Sequence, residues 1–105
     1  MLKAITLTGI HYDIDETTHK YALHKLAKVD RYIPRHARAS ATAEIKLRQV
    51  NRDHGNKYEA EMILVLPDKK LVAKDSTTNM LAAIDIIEAK MIAQITSYKT
   101  TAHPF

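Results

Sequence analysis

The chain has no cysteine, and in 105 residues it has only two glycines, Gly9 and Gly55. Without cysteine there is neither a disulfide framework nor a thiolate zinc site, which fits a reducing, cytoplasmic setting. Two isolated glycines cannot build a glycine-rich phosphate loop. No apolar run approaches the roughly 20 residues that span a bilayer. The opening MLKAITLTGIHYDIDE lacks the long apolar stretch and small-residue cleavage site of a signal peptide. Acids are scarce in one place. From Lys20 to Arg38 the only acid is Asp30, set among Lys20, Lys25, Lys28, Arg31, Arg35 and Arg38.

What is present suits one globular domain: 46% hydrophobic residues, 27% charged residues and a net charge of +4. The isoelectric point is near 9.4. A charge of this size says little about partners, whereas its clustering says more.

Period-two alternation around Ile5 and Leu7 predicts a first strand, interrupted by Gly9. Thr18, Ala22, Leu26, Val29 and Ile33 then recur at spacings of four and three, the core-facing stripe of a helix. Asp13 or Asp15 can cap its start, and Pro34 stops it by biasing Ile33 away from the helical region. Ala41, Ala43, Ile45 and Leu47 alternate with Thr42, Glu44, Lys46 and Arg48 in a strand with one wet face. NRDHGN reads as a polar hairpin loop, KYEAEMILVL as the next strand, Pro67-Asp68 as a turn and KKLVAK as a short further strand. Met80, Ile84, Ile87, Met91, Ile95 and Tyr98 trace the stripe of a second helix, which Thr78 or Asn79 can cap. The order β-α-β-β-β-α predicts an α+β two-layer sandwich, a four-stranded sheet with both helices on one face. Residues 1–99 form the single domain in this reading, and 100–105 are a short flexible tail.

At about 100° per residue, Lys20, His24, Lys28, Arg31 and Arg35 fall within an arc of roughly 80° opposite the apolar stripe. Tyr21, Lys25 and Tyr32 border that arc. A one-sign ridge beside two aromatics is either a solvated helix face or a surface for stacking and phosphate contacts. Catalytic patterns are missing. His19 and His24 do not share a helix face, and there is no HExxH. Asp85 and Glu88 read as surface decoration, and Glu44, Lys46, Glu59 and Glu61 as cross-strand charge pairs on the wet face. No enzyme, cofactor or metal site is expected.

Two segments carry a resemblance. IDETTHKYALHKLAKVDRYIPR resembles the first helix of the ribosome hibernation-promoting factors, or ribosome-associated translation inhibitors. Their pattern K-x-A-K-x-acid-x-Y is met by Lys25, Ala27, Lys28, Asp30 and Tyr32, with a following arginine at Arg35. NMLAAIDIIEAKMIAQI resembles the family's D-M-Y-A-A-I-D signature through Met80, Ala82, Ala83, Ile84 and Asp85, with Asn79 and Leu81 in place of Asp and Tyr. Thr8-Gly9 and the LVA at Leu71 to Ala73 also align. The resemblance implies a β-α-β-β-β-α domain similar to double-stranded-RNA-binding folds. It implies binding to the small ribosomal subunit in the mRNA and tRNA channel, silencing and preserving idle ribosomes as in stationary phase and stress.

The ribosomal-RNA-binding residues it points to are Lys20, His24, Lys25, Lys28, Arg31 and Arg35 on the first helix, with Lys90 and Lys99 on the second. Family members often carry further cations where this chain has Ala93 and Ser97; Arg48, Arg52 and Lys57 around the hairpin can partly compensate. The long family form adds a C-terminal dimerising domain that does not begin before Phe105, so the short form, monomeric when free, is expected.

The alternative is a generic structured-RNA-binding domain not specific to ribosomes, although the start of the second helix, STTNMLAAID, has no cation. An acylphosphatase-like enzyme would need a phosphate loop and a final strand. A protein-interaction module would use Ile86 and Ile92, which lie off the core stripe. Neither a membrane nor a small-molecule substrate is expected as partner.

Overall fold

The computed structural model describes residues 4–50 and 57–102. Strand β1 (Ala4–Ile10) leads to helix α1 (Glu16–Tyr32), a single-turn helix α2 (Arg35–Arg38), strands β2 (Thr42–Gln49), β3 (Tyr58–Val65) and β4 (Lys70–Thr77), and helix α3 (Met80–Ala102). The strands lie in the order β1-β2-β3-β4, with β1 parallel to β2 and the other pairs antiparallel. The expected α+β sandwich is therefore observed, with one added turn of helix. The predicted loop NRDHGN lies outside the described residues. Helix α3 continues through Ala102, into residues expected as tail.

Local chemistry sets the boundaries. Asp15 Oδ1 accepts from the Thr18 N–H at 2.7 Å, and the Thr18 side chain first, then this N–H, hold the Asp15 carboxyl below its ordinary value. Asn79 Oδ1 accepts from the N–H groups of Leu81 and Ala82 at 2.8 and 3.2 Å, capping α3. Ile33 is extended at φ −70° and ψ 130°, as the proline behind it requires. The freed carbonyl of Ile33 accepts from Arg38 Nη2 at 3.1 Å, so that one cation of the basic run is spent closing α1. At the other end His11 turns the chain off β1 at φ 53°. A Cβ on Gly9 would lie 2.2 Å from the Tyr12 carbonyl oxygen, which is why glycine interrupts the strand there.

Both apolar stripes are buried as their spacing predicts: Thr18, Ala22, Leu26, Val29 and Ile33 on α1, and Met80, Ile84, Ile87, Met91, Ile95 and Tyr98 on α3. They cover Ala43, Ile45 and Leu47 of β2 and Ala60, Met62 and Leu64 of β3, which register across the ladder. Burial of a Leu or Ile of this kind contributes about 1.5–3 kcal/mol. The opposite sheet face is open. Register places Lys46 against Glu61 and Arg48 against Glu59, and the Arg48 guanidinium donates to the Glu59 carboxylate. Lys74 Nζ adds a third charge 3.6 Å from Glu59. The outer edge of β4 is closed by α3: Gln94 Nε2 donates to the Val72 carbonyl at 2.6 Å and Lys90 Nζ to the Lys74 carbonyl at 3.2 Å.

Candidate nucleic-acid interface

Helices α1 and α3 lie side by side over the sheet, and their contact decides which cations remain available. Tyr21, one turn into α1, donates its hydroxyl to Asp85 Oδ1 at 2.5 Å. Lys25 Nζ lies 3.2 Å from the same oxygen and 3.6 Å from Glu88 Oε1, with its side chain only 16% exposed. It also sits 5.3 Å from the Tyr21 ring centroid. These four side chains form a clasp between the helices. The Tyr21 hydrogen bond first, then Lys25 and the field of Lys28, hold the Asp85 carboxyl below its ordinary value. Each one's own hydrogen bond to Asp85 raises the Tyr21 hydroxyl and the Lys25 ammonium. Asp85 and Glu88 are thus the anchor of α1, not surface decoration.

The remaining expected contact residues divide into three groups. Lys20, His24, Lys28 and Arg31 are exposed along the outward side of α1. Lys20 reaches back to Glu16 at 3.0 Å, an exposed i,i+4 pair of small worth. His24, Lys28 and Arg31 make no ion pair within 4 Å among the described residues. Arg35 is exposed but stands on α2 beyond the Pro34 break, so the helical arc that joined it to Lys28 does not extend to it. On α3, Lys99 turns toward α1, its Nζ 5.9 Å from the centroid of the Tyr32 ring. Lys90 turns the other way, to Asp75 Oδ2 at 2.7 Å beside β4. The fold gathers Lys28, Arg31 and Lys99 around Tyr32, and separates Lys25 and Lys90 from them.

Between the helices at this end lies a groove of about 520 Å³, lined by Lys28, Arg31, Tyr32, Glu88 and Ile92. Tyr32 is 43% exposed, so its ring is open to stacking, whereas the Tyr21 hydroxyl is committed to Asp85. Ile92, off the core stripe by its spacing, packs partly buried against the core and floors this groove. The role of Glu88 here was not legible in the sequence; its three-residue spacing from Asp85 on the flank facing α1 was the available signal. Among the described residues no group of His, Asp and Glu could hold a metal ion. Among the same residues no helix is long and apolar enough to cross a membrane.

The sequence model of the Sigma 54 modulation protein / S30EA ribosomal protein family matches residues 5–103. The chain belongs to this family. Its members are the ribosome-associated hibernation-promoting factors, so the resemblance of the two helices holds over almost the whole length. Among solved structures, the Thermus thermophilus Protein Y N-terminal domain is 24% identical, with a TM-score of 0.72 over 89% of this chain and 94% of that one. A ribosomal subunit interface protein from Coxiella burnetii is 21% identical, with a TM-score of 0.74 over 92% and 98%. At these identities the likeness establishes the shared fold. No curated protein sequence matches the chain.

Proposed function

We propose that the protein is a non-enzymatic translation inhibitor of the cytoplasm, which binds the small ribosomal subunit in the channel for mRNA and tRNA and keeps idle ribosomes silent. Family membership supports the ribosome as partner, and the neighbour from Coxiella burnetii is named for a ribosomal subunit interface. The observation that carries the reading is the row His24, Lys28 and Arg31 along the outward side of α1, continued by Lys99 across the groove. Exposed cations along one helix are an electrostatic fit to closely spaced RNA phosphates, and Tyr32 adds a face for a base. Lys20 and Arg35 extend the contact at the two ends of the row. Lys25 supports it indirectly by holding α1 on α3.

A reconstituted translation assay tests the reading. Initiation falls as the protein is added, and excess initiator tRNA with mRNA restores it. Inhibition indifferent to both ligands would place the protein elsewhere on the ribosome. Binding to unrelated structured RNA as tightly as to the small subunit would favour a general RNA-binding role.

A further inference from the structure

We infer that the groove between α1 and α3 is a guanine-selective site. The inference rests on the ribosomal-RNA reading and deepens it, naming the base this face takes. The groove combines three chemistries. Lys28 and Arg31 supply positive charge at its wall, Tyr32 an exposed aromatic face, and Glu88 a carboxylate. Cations and an aromatic alone fit any nucleotide. The carboxylate makes the difference, because an acid in a cationic groove lowers affinity for phosphate and must be matched by a donor.

Glu88 has such a vacancy. Its Oε2 is sealed from solvent and has no hydrogen-bond partner, while Oε1 has Lys25 Nζ at 3.6 Å, outside hydrogen-bond distance. An unsatisfied buried acceptor is costly, and a donor that reaches it gains accordingly. The terminal torsion of a glutamate is broad, and turning the carboxylate to the groove gives up the Lys25 contact at 3.6 Å while Asp85 keeps its own at 3.2 Å. Guanine presents two adjacent donors, N1–H and the N2 amine, which match two carboxylate oxygens. Adenine and cytosine each place an amine beside a ring acceptor, and uracil places one N–H between two carbonyls; each brings an acceptor against the carboxylate. Tyr32 offers the base a ring face, and Lys28 and Arg31, which line the same groove, are the cations available to its 5′-phosphate. A volume of about 520 Å³ lies within the range of small-ligand sites. The guanine is either a residue splayed from single-stranded RNA or a free nucleotide.

Titration of the full chain with GMP, IMP and AMP at low salt, followed by ligand-observed NMR, tests this. GMP binds about tenfold more tightly than AMP, the worth of hydrogen bonds to a charged acceptor in a partly solvated site. IMP, which keeps N1–H and lacks the amine, falls between them. Glu88→Gln, shown to be folded by circular dichroism, brings the three within about twofold. Tyr32→Ala weakens all three alike. The pentanucleotides UUGUU and UUAUU separate the sources: preference for UUGUU assigns the site to RNA, and discrimination confined to mononucleotides assigns it to a free guanine nucleotide. Equal binding of GMP and AMP by the wild-type chain overturns the inference, as does full discrimination in a folded Glu88→Gln. If either occurs while wild-type protein still binds small subunits, only the guanine assignment fails. Loss of subunit binding by the wild-type protein would instead sink the reading beneath it.

Discussion

Replacing Lys28 and Arg31 together by alanine separates the outward row of α1 from the net charge of the molecule. Both side chains are exposed and make no ion pair within 4 Å among the described residues, and the buried stripe of α1 lies on the opposite side of the helix. Substitution there moves stability by under about 0.5 kcal/mol per site. Each lost phosphate contact flattens the plot of log affinity against log salt by roughly 0.7 to 0.9, so the double variant loses about 1.4 to 1.8 of slope. Lys69→Ala with Lys70→Ala is the matched control, since both lysines are exposed at the turn into β4 and carry the same charge. The assay is filter binding to purified small subunits from 50 to 300 mM salt, with thermal melts of each variant. A slope change confined to the helix pair supports the assignment. Equal flattening by the turn pair would refute it, because binding would then follow net charge and not position.

Three further outcomes follow from the packing. Gly9→Ala places a Cβ 2.2 Å from the Tyr12 carbonyl oxygen and costs about 1–3 kcal/mol in urea melts, as overpacking does; an unchanged midpoint would contradict the close approach. Ile45→Ala, at a fully buried position under the helices, costs about 2–5 kcal/mol by the same measurement. Tyr21→Phe removes the hydroxyl that donates to Asp85 and costs about 1 kcal/mol near pH 7. Because the folded pKa of Asp85 is depressed, its contribution is present above the ordinary carboxylate value near 4 and is lost as pH falls through the folded value. The difference between Tyr21→Phe and wild type therefore narrows on acidification below about pH 4, and a difference independent of pH would show that the bond does not act through that carboxylate.

The fold was legible because its two helices are one-sided and its central strands alternate. Every residue of the two predicted stripes is buried, from Thr18 to Ile33 and from Met80 to Tyr98, since a 3.6-residue period can satisfy only one apolar face. Asp15 and Asn79 cap the helices as short polar side chains do. Alternation put Glu44, Lys46, Glu59 and Glu61 on one sheet face but could not set the register, which pairs Lys46 with Glu61, gives Glu59 to Arg48 and leaves Glu44 opposite Ile63.

The candidate site was legible only in part, because a helical wheel describes one helix at a time. It grouped Lys25 with the cationic ridge, but Asp85 lies sixty residues away in sequence and only tertiary packing brings its carboxylate to Lys25 and Tyr21. It carried Arg35 past Pro34, where the chain leaves α1 and begins a new turn. It could not assign Arg38 to the Ile33 carbonyl, nor send Lys90 to Asp75 and Lys99 to Tyr32 on opposite flanks of α3. The groove beside Tyr32 exists only where two helices meet.

The absence of cysteine opens the most direct test of the central claim, that α1 faces ribosomal RNA in the small subunit. A single Lys28→Cys carries an iron chelate at a unique, exposed position, and Lys69→Cys carries the same probe to the turn before β4. Hydroxyl radicals released from each bound protein cut the nearby RNA backbone. Strong cuts are expected from position 28 in the small-subunit RNA lining the mRNA and tRNA channel, and weaker or different cuts from position 69. Cuts from position 28 that fall outside that channel, or none above the level from position 69, would contradict the claim.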